Sequence, residues 1–325
     1  MPYRPRLPPG LLHACAVTLA IAALGAAAVA MAGADWPWPL DIPAELRPQI
    51  AVACVVAAVA MALPPRATAQ LALGAALLGI AGALLAPSLR VDAGRVAASD
   101  GDGGVRLEIT GVNLFAGNRD HRRMLAYLAA VDSDVIVVQE LTAAWTVALE
   151  TLAPRYPHRL LAGGDIGVLS KHPITRIHGR IDGVRGGHGR ALEIDAAGVR
   201  LTVLALHPPA PMFAPLDARR RREIDAAAAF ARSVDGPLVV SGDFNATPWA
   251  APLRRFLAGA GLALPAGAWG GTWPWFLGPF GVSIDHILAG GGCAVVERRV
   301  GPPVGSDHRP VHATVRCRAV TSPAP

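Results

Sequence analysis

The apolar and polar positions divide the chain into a hydrophobic first third and a remainder of mixed pattern. Leu11–Gly33 is an uncharged apolar run long enough to cross a hydrocarbon core, for which about 20 residues suffice. Ile50–Leu63 is shorter, but Pro48 and Gln49 before it and Pro64 and Pro65 after it suit an interface. Ala67–Ala86 is again long, broken only by Gln70 and glycines that membrane helices tolerate. The pattern predicts a membrane region over residues 1–88 with about three transmembrane helices, near 11–33, 48–65 and 67–87, two being the fallback. Arg4 and Arg6 ahead of the first run also fit a signal peptide, a reading that the two later runs weaken.

Arg4, Arg6 and Arg66 favour the cytoplasmic side, so three crossings put everything beyond Arg90 outside the cytoplasm, against the pull of Arg90 and Arg95. The expected localisation is a multi-pass cell-membrane protein whose larger domain is extracytoplasmic. Residues 89–104 are small, polar and aperiodic, a linker, and the domain is expected over 105–318 with a tail at 319–325.

From Val105 strand-like and helix-like segments alternate. VRLEITGVNLF is followed by a helix near Asp120–Ala130 and the buried-strand run DVIVVQE; IGVLS, RALEID, VRLTVLALH, PLVVSGDF, SIDHILA and PVHATVRC follow as strands. Polar side chains recur at their ends: Asn113, Glu140, His207, Asp243 with Asn245, and Asp285, with Asp307 and His308 in GSDHRP. One such residue means little, because turns and caps select the same types: alone, Glu140 reads as a salt-bridged strand end and Asp243 with Asn245 as an Asx-turn. Delivery of Asn, Asp, Glu or His at one strand end after another is hard to ascribe to chance, and layered α/β folds gather catalytic groups at such ends.

In these motifs, taken in order, the chain resembles the endonuclease/exonuclease/phosphatase superfamily, the DNase I-like fold: NLF at Asn113, VQE at Glu140, GVLSKHPI from Gly167, LHP at His207, GDFN at Asp243, IDHI at Asp285 and SDH at Asp307. Each is short, and together they span Val105 to Cys317. The resemblance implies an α/β fold, a four-layer sandwich of two mixed β-sheets flanked by helices, here preceded by about three transmembrane helices.

Cleaving a phosphate ester requires neutralising its charge, orienting a water in line with the leaving oxygen and helping that oxygen depart. Glu140 is the first metal ligand for a hard cation, Mg²⁺ (or Mn²⁺), with Asn113 and Asp307 completing or supporting the shell. The resemblance makes Asp243 the residue that orients or deprotonates the attacking water, and Asn245 a donor to a phosphoryl oxygen. It makes His308 the histidine at the phosphoryl group, its tautomer set by Asp285, and His207 a second histidine that protonates the leaving group or binds phosphate. Arg190 reads equally as a phosphate contact or a surface arginine; His188, His286 and His312 fall outside the motifs and read as structural or solvent-facing.

Composition changes the picture in three places. With 52% hydrophobic residues the chain is rich in apolar side chains for a purely soluble protein. Lys171 is the only lysine, and the densest basic run, Arg219–Arg222, lies in a helical pattern and reads as a solvated face with no aromatic interleaving to mark a nucleic-acid groove. The cysteines lack metal-ligand spacing; Cys15 and Cys54 sit in apolar runs, while Cys293 and Cys317 pair as a disulfide if the domain is extracytoplasmic.

The segment AWGGTWPWFLGPFGVSIDHIL concentrates Trp269, Trp273, Trp275, Phe276 and Phe280 just before Asp285, either as a lid packed on its own core or as a loop that meets lipid, with Trp273 a candidate substrate contact. With the apolar spans, this resembles the membrane-anchored bacterial branch typified by VanJ-type proteins, whose members look like extracytoplasmic lipid-pyrophosphate phosphatases. The expected function is a membrane-anchored, divalent-metal-dependent phosphoesterase, in which an activated water attacks a lipid-linked, polyprenyl pyrophosphate-like substrate in line. Its expected partners are the bilayer and that substrate, with the chain a monomer and nucleic acid less favoured. Alternatives are a membrane-tethered nuclease and, from another class, a catalytically inactive binding module, against which the intact polar set argues.

Overall fold

Alanine at helical spacing decides how the first third packs. In the computed structural model, which describes residues 9–32, 35–61, 68–89, 104–162, 164–181 and 189–318, the chain forms two compact units, Met1–Arg90 and Val91–Pro325. Expectations resting on Arg4, Arg6, Arg66, Arg90, Arg95, His188, nearly all of the 89–104 linker and the 319–325 tail lie outside the described residues.

The first unit contains α1 (Pro9–Met31), the single turn α2 (Ile42–Glu45), α3 (Arg47–Met61) and α4 (Thr68–Leu89). Ala20, Ala23, Ala27 and Ala30 of α1 are buried, as are Ala51, Cys54, Ala57 and Ala58 of α3 and Leu77, Ala81 and Leu84 of α4. Such small side chains let helix backbones approach closely. Several larger apolar residues point the other way: Ile21, Val52, Val56, Val59 and Leu78 are exposed. Buried Arg47 donates from its guanidinium to the carbonyl of Ala30, supplying a partner at the end of α1, where helix carbonyls lack one.

The three membrane spans expected from hydropathy are not shown. Helix α3 has only 15 residues and starts at an arginine. Helices α1 and α4 have 23 and 22 residues, and among the described residues no helix is long and apolar enough to cross a membrane.

The second unit begins with β1 (Val105–Asn113), α5 (His121–Val131), β2 (Val135–Gln139), α6 (Ala143–Leu149), β3 (His158–Leu160) and β4 (Gly167–Ser170). It continues with β5 (Ile174–Arg180), β6 (Gly189–Ala196), β7 (Val199–Leu206), α7 (Ala214–Ser233), β8 (Leu238–Asp243), α8 (Ala251–Ala260), β9 (Asp285–Gly290), β10 (Cys293–Val300) and β11 (Val311–Cys317). One sheet has the order β10-β11-β1-β2-β4-β3 and the other β5-β6-β7-β8-β9. Both are mixed: β1 runs parallel to β2, and β7 to β8, among antiparallel neighbours.

Strand alternation builds the layers. Leu107, Ile109, Val135 and Val137 of the first sheet meet Leu192, Ile194, Val203 and Val239 of the second in a core between the sheets. Residues of opposite parity face outward, Val112, Ile136 and Val138 under α5 and α6, and Leu204 and Val240 under α7 and α8. Burying each such side chain contributes about 1.5–3 kcal/mol. Two mixed sheets flanked by helices are thus the observed architecture, as the strand pattern and the resemblance imply.

The strands missing from the sequence pattern are β3, β5 and β10, each at a sheet edge, where solvent permits polar and charged residues such as Glu297, Arg298 and Arg299 to break the alternation. Cys293 and Cys317, cross-strand partners in the register of β10 and β11, form a disulfide. It lies at the end of the first sheet opposite Asn113, since Val105 at the start of β1 pairs with Cys317.

Candidate active site

Strand register delivers the polar residues to one place. Asn113 pairs with Gln139, so Glu140 follows directly beside it; in the other sheet Leu206 pairs with Gly242 and Asp243 with Asp285, so His207 emerges next to that pair. Gly242 is required here, because a Cβ would lie 1.9 Å from the Leu206 carbonyl oxygen. The two sheets meet through Asn113, whose Nδ2 donates to Glu140 Oε1 at 2.9 Å and to Asp243 Oδ2 at 3.2 Å.

The turns that carry these groups are strained. Glu140 has φ 56° and Asn245 φ 47°, the left-handed region that asparagine tolerates and glutamate rarely enters, at a cost of about 1–3 kcal/mol each. Each is held by several bonds. Glu140 Oε2 accepts from Ala116 N at 2.6 Å. Asn245 donates its N–H to Asp243 Oδ1 at 2.9 Å and its Nδ2 to Pro208 O at 3.0 Å, and its carbonyl accepts from Arg220.

That last contact corrects the reading of Arg219–Arg222 as a solvated face. Arg220 is fully buried, donating through Nε and Nη2 to Asp217 Oδ1 at 3.1 and 2.7 Å, and it supports the Asp243–Asn245 turn from below. A buried and an exposed arginine on one helix look alike in a charge run; the (i, i+3) acid Asp217 was the available signal.

Two histidine–aspartate pairs flank Asp243. His308 Nδ1 shares a hydrogen bond with Asp285 Oδ2 at 2.9 Å, and His207 Nδ1 with Asp165 Oδ2 at 2.5 Å. Asp243 Oδ2 lies 3.6 Å from His308 Nε2 and 3.7 Å from His207 Nε2. Asp165 went unnoticed in the sequence, because it stands in a loop just ahead of GVLS; an acid adjoining a motif was its only mark.

Burial, and next the charge of Asp285, push the Asp243 carboxyl up to about 6, though both imidazoles pull it down. For His308 burial opposes the charge most strongly, but Asp285 and Asp243 outweigh it and raise the imidazole to about 10. Burial likewise opposes charge on His207, and the bond to Asp165 with the nearby carboxylates still raises it. The Asp285 carboxyl is lowered: burial resists ionisation, but the His308 charge and hydrogen bond prevail. At neutral pH the cluster therefore offers a carboxylate base between a charged imidazole, His308, and a second, His207, whose proton affinity the neighbouring carboxylates raise.

A divalent cation fits the chemistry of the donors. Glu140 is only half-buried, and each of its oxygens accepts one hydrogen bond while retaining further lone-pair capacity. Asn113 turns its NH₂ toward the carboxylates in this arrangement and its Oδ1 toward Phe115 N at 2.9 Å, so it orients Glu140. Asp307 accepts from the Trp273 indole at 3.0 Å, and Ser306 Oγ donates to the Asn113 carbonyl at 2.7 Å, tying the SDH segment to β1. Asp243, Asp285 and His308 also offer donor atoms within 4.8 Å of one another, but Asp285 Oδ2 and His308 Nδ1 are engaged with each other. Glu140 is the better-suited position.

Of the remaining candidates, Trp273 borders the cluster through Asp307, while Arg190 stands at the start of β6 opposite Ala205, a strand away from His207. His286 is buried against the Ala246 carbonyl at 2.9 Å, and His312 is bonded to Thr110 Oγ1 at 2.8 Å and to Tyr127 OH. Both are structural.

A family model described as the Endonuclease/Exonuclease/phosphatase family matches residues 112–308, more than half of the chain. No curated protein matches it. Among solved structures, an endonuclease/exonuclease/phosphatase from Beutenbergia cavernae is 19% identical, with a TM-score of 0.54 over 67% of this chain and 73% of its own. SmcL is 18% identical, with a TM-score of 0.51 over 64% of this chain and 98% of its own. Sphingomyelinase C from Streptomyces griseocarneus is 19% identical over 65% and 99%, with a TM-score of 0.48. Identities this low speak for the fold alone.

Proposed function

The chain belongs to the endonuclease/exonuclease/phosphatase family, metal-dependent hydrolases of phosphate esters, and on that premise we propose that it hydrolyses a lipid-linked phosphate ester or pyrophosphate at a membrane. The observation that carries the chemistry is the position of Asp243 Oδ2, 3.6 and 3.7 Å from the Nε2 atoms of His308 and His207.

Glu140, with Asn113 and Asp307 beside it, would hold a divalent cation, Mg²⁺ or Mn²⁺, which when bound would supply charge neutralisation for the phosphoryl group. Asp243 takes the proton of the attacking water as its oxygen bonds to phosphorus. His308, kept charged and oriented by Asp285, donates to a phosphoryl oxygen on which charge grows. His207, oriented by Asp165, passes its proton to the leaving oxygen as the P–O bond breaks. Asn245 uses one amide N–H on Pro208 O, and its second is free to reach a phosphoryl oxygen.

Three observations support the membrane and lipid parts of the reading. The first unit buries alanine and exposes Ile21, Val52, Val56, Val59 and Leu78, an arrangement suited to lipid surroundings and costly in water. The Cys293–Cys317 disulfide suits an oxidising, extracytoplasmic compartment. The indole of Trp273 joins the aromatic segment directly to Asp307.

The test is phosphate release from polyprenyl pyrophosphate by the detergent-solubilised chain, with Mg²⁺ and then EDTA, beside plasmid nicking and an Asp243→Ala control. Release that needs metal and Asp243 while DNA stays intact is the expected outcome. Nicking without release would move the chain to the nucleases, and silence in both assays would overturn catalysis on these substrates.

A further inference from the structure

Three loops reach the end of the sandwich that holds the cluster, and each leaves large apolar side chains in solvent. Beyond β1 stands Phe115; beyond β7 stand Met212, 72% exposed, and Phe213, 50% exposed; before β9 the 3₁₀ segment Trp275–Phe280 exposes Trp275, Phe276 and Phe280, the last two at 67% and 63%. Their positions relative to the cluster are fixed by hydrogen bonds. Phe115 N donates to Asn113 Oδ1 at 2.9 Å. Pro208 O, at the root of the second loop, accepts from Asn245 Nδ2 at 3.0 Å. Trp275 N donates to the Asp307 carbonyl at 2.8 Å.

From these three tips we infer that the mouth of the site is ringed by a membrane-docking collar that seats on a lipid bilayer. The inference rests on the lipid-linked reading of the same site and adds to it the surface through which substrate arrives. The tips, Leu114–Gly117, Pro208–Phe213 and Trp273–Gly281, contain no charged residue. Other large exposed apolar residues of this unit, Val147, Ile177 and Val296, are scattered over α6 and the edge strands β5 and β10. Apolar side chains gathered on loops at one end of the fold mark an interaction surface, whereas single scattered residues do not.

The bilayer is the occupant that the chemistry favours. Tryptophan and phenylalanine on uncharged loops suit the headgroup boundary, where indole and ring insert without leaving buried charge. A second copy of the chain, or another protein, seated on a ring around the mouth would cover the cluster. A bilayer seated there leaves headgroup phosphates at the level of the cluster and the acyl or prenyl chain in lipid. Exposed Arg119, just beyond the Phe115 tip, places a cation beside the rim for anionic headgroups.

The test uses the full chain in nanodiscs containing lipids with quenching labels on their tails. In a Cys15→Ser background, with the disulfide kept oxidised, an environment-sensitive fluorophore is attached at Met212→Cys, at Phe276→Cys and, as a control, at Val147→Cys. Quenching at the first two positions and none at the third is expected. Equal quenching at all three, none at the collar, or cross-links between copies through the collar would overturn the inference.

In the same discs, Met212→Ser with Phe276→Ser is expected to lower turnover of polyprenyl pyrophosphate about tenfold while hydrolysis of soluble bis(p-nitrophenyl) phosphate stays unchanged. An equal loss on both substrates would assign these residues to the stability of the site and overturn the collar. Quenching without release of lipid-linked phosphate would keep the collar and remove the lipid-linked substrate; release without quenching would do the reverse.

Discussion

At one end of the sandwich, Asp243, Asp285 and His308 are buried together beside half-buried His207 and Glu140. At the other, the same two sheets end in the Cys293–Cys317 disulfide and in a turn whose Gly291 and Gly292 supply φ 60° and 93° without a side-chain penalty. The first end stores unfavourable terms: carboxylates that repel each other in low dielectric, and left-handed backbone at Glu140 and Asn245. The second offsets them with a covalent cross-link and with glycine where the turn needs it. Chemistry and stability are thus assigned to opposite ends of common strands, and variants at the two ends should separate cleanly.

The largest effect is expected from Asp243→Asn, which should lower kcat by about 10²–10⁴-fold while the melting temperature holds or rises, because a buried carboxylate repelled by Asp285 is gone. Steady-state kinetics with calorimetry checks both halves, and a large fall in melting temperature would break the division. At the opposite end, Cys317→Ser should cost about 3 kcal/mol of stability in denaturant unfolding and leave kcat within about twofold, since the site lies at the far end of the strands.

Glu140→Gln should weaken divalent-metal binding strongly, because it replaces the carboxylate charge that a hard cation prefers by a neutral amide. Mg²⁺ should therefore raise the melting temperature of the parent chain and not that of the variant, and EDTA should silence the parent.

The smallest effect concerns pH. The folded-state pKa of Asp243, about 6, lies above its ordinary 3.8, so between about pH 4 and 6 the folded chain binds more protons than the unfolded one, and stability falls as pH rises through that window. His308, raised from 6.5 to about 10, contributes stability that is complete below about 6.5 and is lost as pH rises through about 10. In metal-free buffer the melting temperature should decline by a few degrees from pH 4 to 6, a slope that Asp243→Asn removes. Under turnover conditions the acid limb of kcat/KM should rise as Asp243 ionises; an acid limb that survives in Asp243→Asn would assign the base elsewhere.

Much of the site was legible because its residues are strand ends, where a two-residue period stops and a polar side chain stands out. Asn113, Glu140, His207, Asp243 and Asp285 announced themselves in this way, and His308 through the GSDHRP motif. Asp165 and Arg220 did not: one lies in an irregular loop, and the other is buried by tertiary contacts on a helix that reads as solvent-facing. The edge strands β3, β5 and β10 escaped for a related reason, since one-sided pairing relaxes the alternation that makes a strand visible. The apolar runs of the first third gave its helices, but hydropathy says nothing of which side of a helix carries alanine against a neighbour and which carries valine outward.

The sequence by itself determined the family of chemistry, because a hard-cation carboxylate, a GDFN turn and an SDH turn at successive strand ends require the same chemical roles wherever the strands lie. Only the tertiary structure decided that Asp243 stands between two imidazoles, that Asp165 serves His207, that Arg220 props Asn245, and that three apolar tips leave from the cluster's end of the sandwich. These are contacts between residues far apart in the chain, and distance along the chain carries no information about which partners burial will bring together.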